Sequence, residues 1–268
     1  VAEKEVRMNA VSTVSPVRGR FVETSIFRRI AGAVDFARTL RRSVAIIGAP
    51  GLGKTMALER LAQDHDTARL VVVSNAHRSV KSALEAVVDA FGFYSSVKYA
   101  ADFHSVIRNQ LPHQARLGCF LMIDEAQRLD LNAQLEFASW TEQFGLPVIF
   151  CGNADLLKRT RTDDAAFKQI VSRVGKVLPL TPPEPADFVQ FAVDYDVYGK
   201  DAREAVVNFG SQRSIRELVT LLDAAKVFAD RGPIKLETLH AALRYIHDDD
   251  AALKLLKQPE PVRKSTLT

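Results

Sequence analysis

Cysteine is scarce: Cys119 and Cys151 are the only two in 268 residues, and both fall in apolar, strand-like runs. A small buried side chain is the expected reading of each, which excludes a disulfide framework and points to a cytoplasmic chain. Long apolar runs are absent as well. The longest, such as residues 70–73 and 119–123, fall far short of the ~18–20 residues a membrane-spanning helix needs, so no membrane partner is expected. No N-terminal stretch joins basic residues to an apolar stretch and a small-residue cleavage site, so no secretory signal is expected. The chain shows no internal repeat. With 47% hydrophobic and 25% charged residues it reads as an ordinary globular chain, long enough for one large or two small domains.

Net charge is only +4, but it is unevenly placed. Residues 1–42 carry nine Lys or Arg against four Asp or Glu, residues 43–202 carry 16 against 19, and residues 203–268 carry 11 against nine. An acidic middle between basic flanks suits a catalytic core that meets a polyanion elsewhere on its surface.

Residues 1–19 show no period and read as a flexible basic arm. From Ser25 to Leu40, Ile26, Ile30, Val34, Ala37 and Leu40 recur at helical spacing, with Thr24 or Ser25 as the N-cap. Strands are expected at 43–47, 69–74, 119–123 and 147–151, with a fifth at 177–180. Helices are expected at 54–63, 79–92, 101–114 and 130–144. Wholly apolar strands alternating with helices indicate an α/β core with a parallel sheet buried on both faces. The proline-rich stretch at 181–185 marks a boundary. Beyond it the chain reads as helical at about 186–197, 201–209, 213–230 and 235–246, with Gly210 and Gly232-Pro233 as stops. The expected division is a core over 20–181, a small helical lid over 182–247 and a disordered tail over 248–268.

Gly48-Ala-Pro50-Gly51-Leu-Gly53-Lys54-Thr55 fits G-x-x-x-x-G-K-[ST] and lies between an expected strand and an expected helix. The glycines let backbone N–H groups turn inward around phosphate oxygens, and the helix N-terminus adds its dipole. Lys54 would neutralise the β- and γ-phosphates of ATP, and Thr55 would place its hydroxyl on Mg²⁺.

Cys119-Phe-Leu-Met-Ile123-Asp124-Glu125 supplies the second half of such a site. Its carboxylates emerge at the C-terminal end of a buried strand, where ligands of open α/β sheets collect. Asp124 would hold Mg²⁺ through water, and Glu125 would polarise the attacking water as general base. Asn153, after the fourth strand, either bridges the γ-phosphate and that water or merely forms a turn after Gly152.

With these elements in this order, the chain resembles the P-loop AAA+ ATPases, and within them the transposition-regulator branch that includes the target-capture ATPase of bacteriophage Mu. The resemblance runs over roughly residues 20–246. It rests on Phe21-Val-Glu-Thr24, Ile46-Ile-Gly-Ala-Pro-Gly-Leu-Gly-Lys-Thr-Met56, Met122-Ile-Asp-Glu-Ala-Gln127, Phe150-Cys-Gly-Asn153, Ser172-Arg-Val-Gly175 and Gly210-Ser-Gln-Arg213. It implies that Met56 adjoins the nucleotide and that Val22 contacts the adenine. It also implies that Arg173 is an arginine finger reaching the γ-phosphate of a neighbouring subunit, and that Arg213 is the second sensor, with Arg216 one turn on as the alternative. Replication initiators and secretion-associated ATPases share an Asp-Glu-Ala-Gln-like box. Mu-type members carry an N-terminal DNA-binding helical domain, whereas about 20 residues precede the core here.

The resemblance implies an oligomeric ATPase that wraps double-stranded DNA inside a helical filament or ring and delivers it to a transposase, with hydrolysis driving release. Contacts would go to phosphates rather than bases, so binding would be sequence-tolerant and salt-sensitive. Candidate contacts are Arg78 and Lys81, in the loop after the second strand and at the next helix start, Arg128, just past the acidic pair, and the run Lys158-Arg159-Thr160-Arg161. Two other readings remain. A replication initiator or loader would add a winged-helix reader after the lid, for which residues 247–268 are too short and polar. A protein-directed secretion or signalling ATPase would hydrolyse ATP indifferently to DNA.

Overall fold

The apolar runs become five parallel strands. The computed structural model describes residues 20–93, 103–156, 170, 172–230, 232–247 and 250–257; the run 158–161 lies outside them. In chain order the strands are β1 (Ser43–Ile47), β2 (Ala68–Val72), β3 (Phe120–Asp124), β4 (Val148–Gly152) and β5 (Val174–Pro179). They form one sheet in the order β2-β3-β4-β1-β5. Helices α1 (Ser25–Leu40), α2 (Lys54–Asp64), α3 (Val80–Phe91), α4 (Phe103–Arg116) and α5 (Leu131–Phe144) connect or flank them. Every residue of β3 and β4 is buried, as a parallel sheet covered on both faces requires.

The described residues fall into two compact units. Those within Ile30–Ala49 and Lys54–Leu180 form the first, and those within Gly19–Arg29, Pro50–Gly53 and Thr181–Thr268 the second. The core of the first includes Leu84, Leu111, Leu121, Phe137 and Trp140, each worth about 1.5–3 kcal/mol for leaving water. Trp140 meets the Phe137 ring edge-on at 4.7 Å.

Register places the site. Ile47 pairs with Gly152, Ile123 with Phe150, and Gly48 N–H donates to Gly152 O at 3.1 Å. The C-terminal ends of β1, β4 and β3 therefore lie side by side, where ligands of such sheets bind. The fifth strand starts three residues earlier than its apolar residues suggest. Its burial pattern is that of a largely exposed edge, and its register comes from pairing with β1.

The second unit is built from helices α6 (Pro185–Asp194), α7 (Lys200–Gln212), α8 (Ile215–Phe228) and α9 (Leu236–His247). It also takes in residues 20–29 and 50–53, although their place in the chain groups them with the core. Buried Asp187 is one reason: its carboxylate accepts from Ser25 N–H at 2.6 Å, Ser25 Oγ–H at 2.5 Å and Glu184 N–H at 2.9 Å.

Two expectations are corrected here. Gly210 does not stop a helix but lies inside α7, because a Cβ there would overlap the Phe188 ring, with Cε1 at 2.7 Å and Cγ at 2.8 Å. The helix ends instead at Arg213, whose backbone is extended, and Ser214 opens α8 with a capping box to Glu217. Residues 250–256, expected within a disordered tail, form a 3-10 helix. Asn208 Nδ2 donates to Leu256 O at 3.2 Å, Gln212 Nε2 donates to Leu255 O at 3.2 Å, and Leu256 is buried.

Candidate functional site

The loop after β1 carries the phosphate-binding pattern, and its backbone has the required shape. Gly51 and Gly53 stand at φ +81° and +83°, left-handed values that let successive N–H groups converge on one centre. In the first unit, buried Lys54 donates from Nζ to Gly48 O at 2.9 Å and Ala49 O at 2.8 Å. The ammonium is thus held at the mouth of the loop, at the N-terminus of α2. Met56 follows in the first turn of α2, half-buried, while Pro50 is exposed.

Thr55 and Asp124 meet across the site. The Thr55 hydroxyl donates to Asp124 Oδ2 at 2.6 Å, and Glu125 N–H donates to Oδ1 at 2.9 Å. Asp124 is 1% exposed. Burial raises its pKa above the usual carboxylate value, the two hydrogen bonds hold the rise back, the Glu125 charge adds to it and Lys54 opposes it. Two hard oxygen donors beside a phosphate loop suit Mg²⁺, which binds through one or two protein oxygens, substrate phosphates and water. Among the described residues, no group of three or more His, Cys, Asp or Glu forms a cage that would hold an ion by itself.

Glu125 follows β3 in a left-handed conformation, φ +55°, a strained backbone for a residue with a Cβ. Its Oε2 accepts from Gln127 Nε2 at 2.7 Å and pairs with Arg128 at 3.3 Å. Gln127 is a site residue that sequence reasoning missed. Its only signal is its place two residues after the acid, within the motif quoted above. Asn153 sits beyond β4, where its Oδ1 accepts from Asp155 N–H at 2.8 Å, so the turn-forming role is realised.

Arg128, expected from sequence to contact DNA, is exposed, with its guanidinium against Glu125 at 3.3 Å. Besides Glu125 it donates to Val73 O at 3.2 Å. Arg78 and Lys81 are exposed, on either side of Ser79, the N-cap of α3. Arg173 pairs with Glu142 at 3.4 Å.

In the second unit Val22 is buried, beside Thr24, whose Oγ1 accepts from Phe27 N–H at 3.1 Å. Arg213 pairs with Glu217 at 3.6 Å. Within the same unit, a Cβ at Gly51 would come 2.8 Å from Ser214 Cβ and 3.9 Å from Arg216 Cβ. Arg216, the alternative sensor, thus has its Cβ within 4 Å of a Cβ built on Gly51 in the same unit.

A family model described as an AAA domain matches residues 37–160. The chain is 23% identical over 197 residues to the Mu-like prophage FluMu DNA transposition protein B of Haemophilus influenzae, covering 70% of this chain and 68% of that one. It is 24% identical over 194 residues to the ATP-dependent target DNA activator B of Escherichia phage Mu, again over 70% of this chain but only 60% of the phage protein, less than two thirds of its length. Among solved structures, Cdc6p from Pyrobaculum aerophilum superposes with a TM-score of 0.61 at 15% identity, over 86% of this chain and 70% of that one. Domain III of the Thermotoga maritima replication initiation protein DnaA gives 0.53 at 18% identity, over 84% and 94%. The structural likenesses establish the fold alone. Among the described residues no helix is long and apolar enough to cross a membrane.

Proposed function

We propose that this chain, an ATPase built on an AAA core, is a target-DNA adaptor for transposition: it holds duplex DNA in its ATP state, self-assembles into a filament or ring and hands the DNA to a transposase. The observation that carries the reading is the match to the phage Mu target DNA activator over 70% of this chain.

The phosphate loop supplies inward N–H groups and the Lys54 ammonium for the β- and γ-phosphates. Thr55 Oγ1 and, through water, Asp124 would hold Mg²⁺, which when bound would neutralise developing charge on the phosphate oxygens. Glu125 takes the proton of the attacking water. Asn153 presents its Nδ2 to the γ-phosphate while Oδ1 closes the turn. Arg173, from a neighbouring subunit, supplies the external cation that makes hydrolysis depend on assembly. Val22 packs against the adenine, and of the two sensor candidates the geometry favours Arg216 over Arg213. Arg78 and Lys81 are exposed cations suited to DNA phosphates.

Equilibrium binding of unrelated duplexes with ATP, with ADP and without nucleotide, across a salt series, tests this directly. Tight binding only with ATP, indifferent to sequence and falling steeply with salt, is the expected result. Indifference to DNA in all three states would exclude a DNA role for this chain and point to a protein-directed ATPase.

A further inference from the structure

Gln127 sits in the short 3-10 turn Ala126–Arg128 that follows β3. One end of its side-chain amide donates to Glu125 Oε2 at 2.7 Å. The other end, Oε1, accepts from the backbone N–H of Asn153 at 3.3 Å. A carboxylate on one side and an N–H on the other fix which end of the amide is oxygen. The side chain thus bridges the ends of β3 and β4, between the acid and the amide assigned to the γ-phosphate.

Gly152 makes the bridge possible. A Cβ there would overlap Gln127 Oε1 and lie 3.4 Å from the Gln127 backbone nitrogen. Gly152 has no left-handed φ, so backbone freedom does not account for glycine here. The close approach of the Gln127 amide does.

We propose that Gln127 is a positioning residue that locks the Glu125 carboxylate to Asn153, so that the base and the γ-phosphate contact move as one body, and that Gly152 is required because of it. The proposal rests on the roles given above to Glu125 and Asn153. Arg128 cannot substitute. Its contact with Glu125 is a partly exposed ion pair at 3.3 Å, whereas a short hydrogen bond to an ionised oxygen is directional. Loss of the bridge leaves Glu125 free to rotate off the attacking water. A misplacement of about 1 Å in such a group costs on the order of 100-fold in rate.

The test measures kcat and KM for ATP hydrolysis, nucleotide affinity by equilibrium binding, and thermal melts for Glu125→Gln, Gln127→Ala, Gln127→Glu, Gly152→Ala and the Gln127→Ala/Gly152→Ala double variant. Glu125→Gln is the reference: if it retains turnover, the assignment of the base fails and this proposal falls with it. With that reference satisfied, Gln127→Ala should lower kcat by roughly 10–100-fold with ATP affinity within about threefold of the parent. Gln127→Glu keeps the shape but turns an acceptor toward Glu125, so it should be as damaging. Gly152→Ala should match Gln127→Ala, because its methyl displaces the amide, and the double variant should be no slower than either single one. Turnover within twofold of the parent for Gln127→Ala, normal turnover for Gln127→Glu, or multiplying effects in the double variant would each overturn the proposal while leaving the base assignment intact.

Discussion

The Thr55 hydroxyl donates to Asp124 Oδ2 at 2.6 Å, tying the first turn of α2 to the end of β3. Burial raises the Asp124 pKa despite this bond, so the folded chain holds that proton more tightly than the unfolded chain does. Stability is then lost as pH rises from the ordinary aspartate value through the raised one. Without divalent cations, Asp124→Asn should flatten this loss. Urea unfolding of both proteins at pH 4–7 checks it, and parallel pH profiles would contradict it.

Gly210→Ala should destabilise the second unit by about 1–3 kcal/mol, because the added methyl overpacks against the Phe188 ring. Urea unfolding followed by helical circular dichroism reads the effect. An unchanged midpoint would mean that Phe188 moves aside freely.

Arg128 and the pair Arg78 and Lys81 should separate by phenotype. Because Arg128 faces Glu125 and Val73, Arg128→Ala should alter ATP turnover and leave the salt dependence of DNA binding unchanged. The Arg78→Ala/Lys81→Ala double variant should weaken DNA binding equally for all sequences and lower the salt slope by roughly 0.9 per lost phosphate contact. Titrations at four or more salt concentrations distinguish the two outcomes.

Arg216→Ala should cost roughly tenfold or more in ATP turnover or affinity, as loss of a charge-stabilising donor does. Arg213→Ala should cost less, since Arg213 is an exposed partner of Glu217. Steady-state kinetics with both variants decide between them, and the reverse order would return the sensor role to Arg213.

What was legible in the sequence is what local chemistry encodes. β1 and α1 occur at their expected limits because a β-branched run and a clean helical period need no partner to be read. The glycine loop before Lys54 and the acids at the end of β3 were equally plain as patterns, and the loop glycines take left-handed φ while Asp124 lies against Thr55. What escaped depends on distant partners. The start of β5 is set by pairing with β1 along a mostly exposed edge. Gly210 looks like a stop until Phe188 is seen lying on it. Residues 250–256 gain order from Asn208 and Gln212. Gln127 sits in full view of the motif, yet its bridge exists only where β3 and β4 end side by side.

The claim that ATP state controls the grip on DNA is tested most directly with Glu125→Gln. Protein loaded on duplex DNA with ATP and Mg²⁺ is challenged with excess competitor DNA, and dissociation is followed in time. The parent should release DNA as it hydrolyses ATP, while Glu125→Gln, able to bind but not to hydrolyse, should hold it many times longer. Equal release rates for the two would contradict the account.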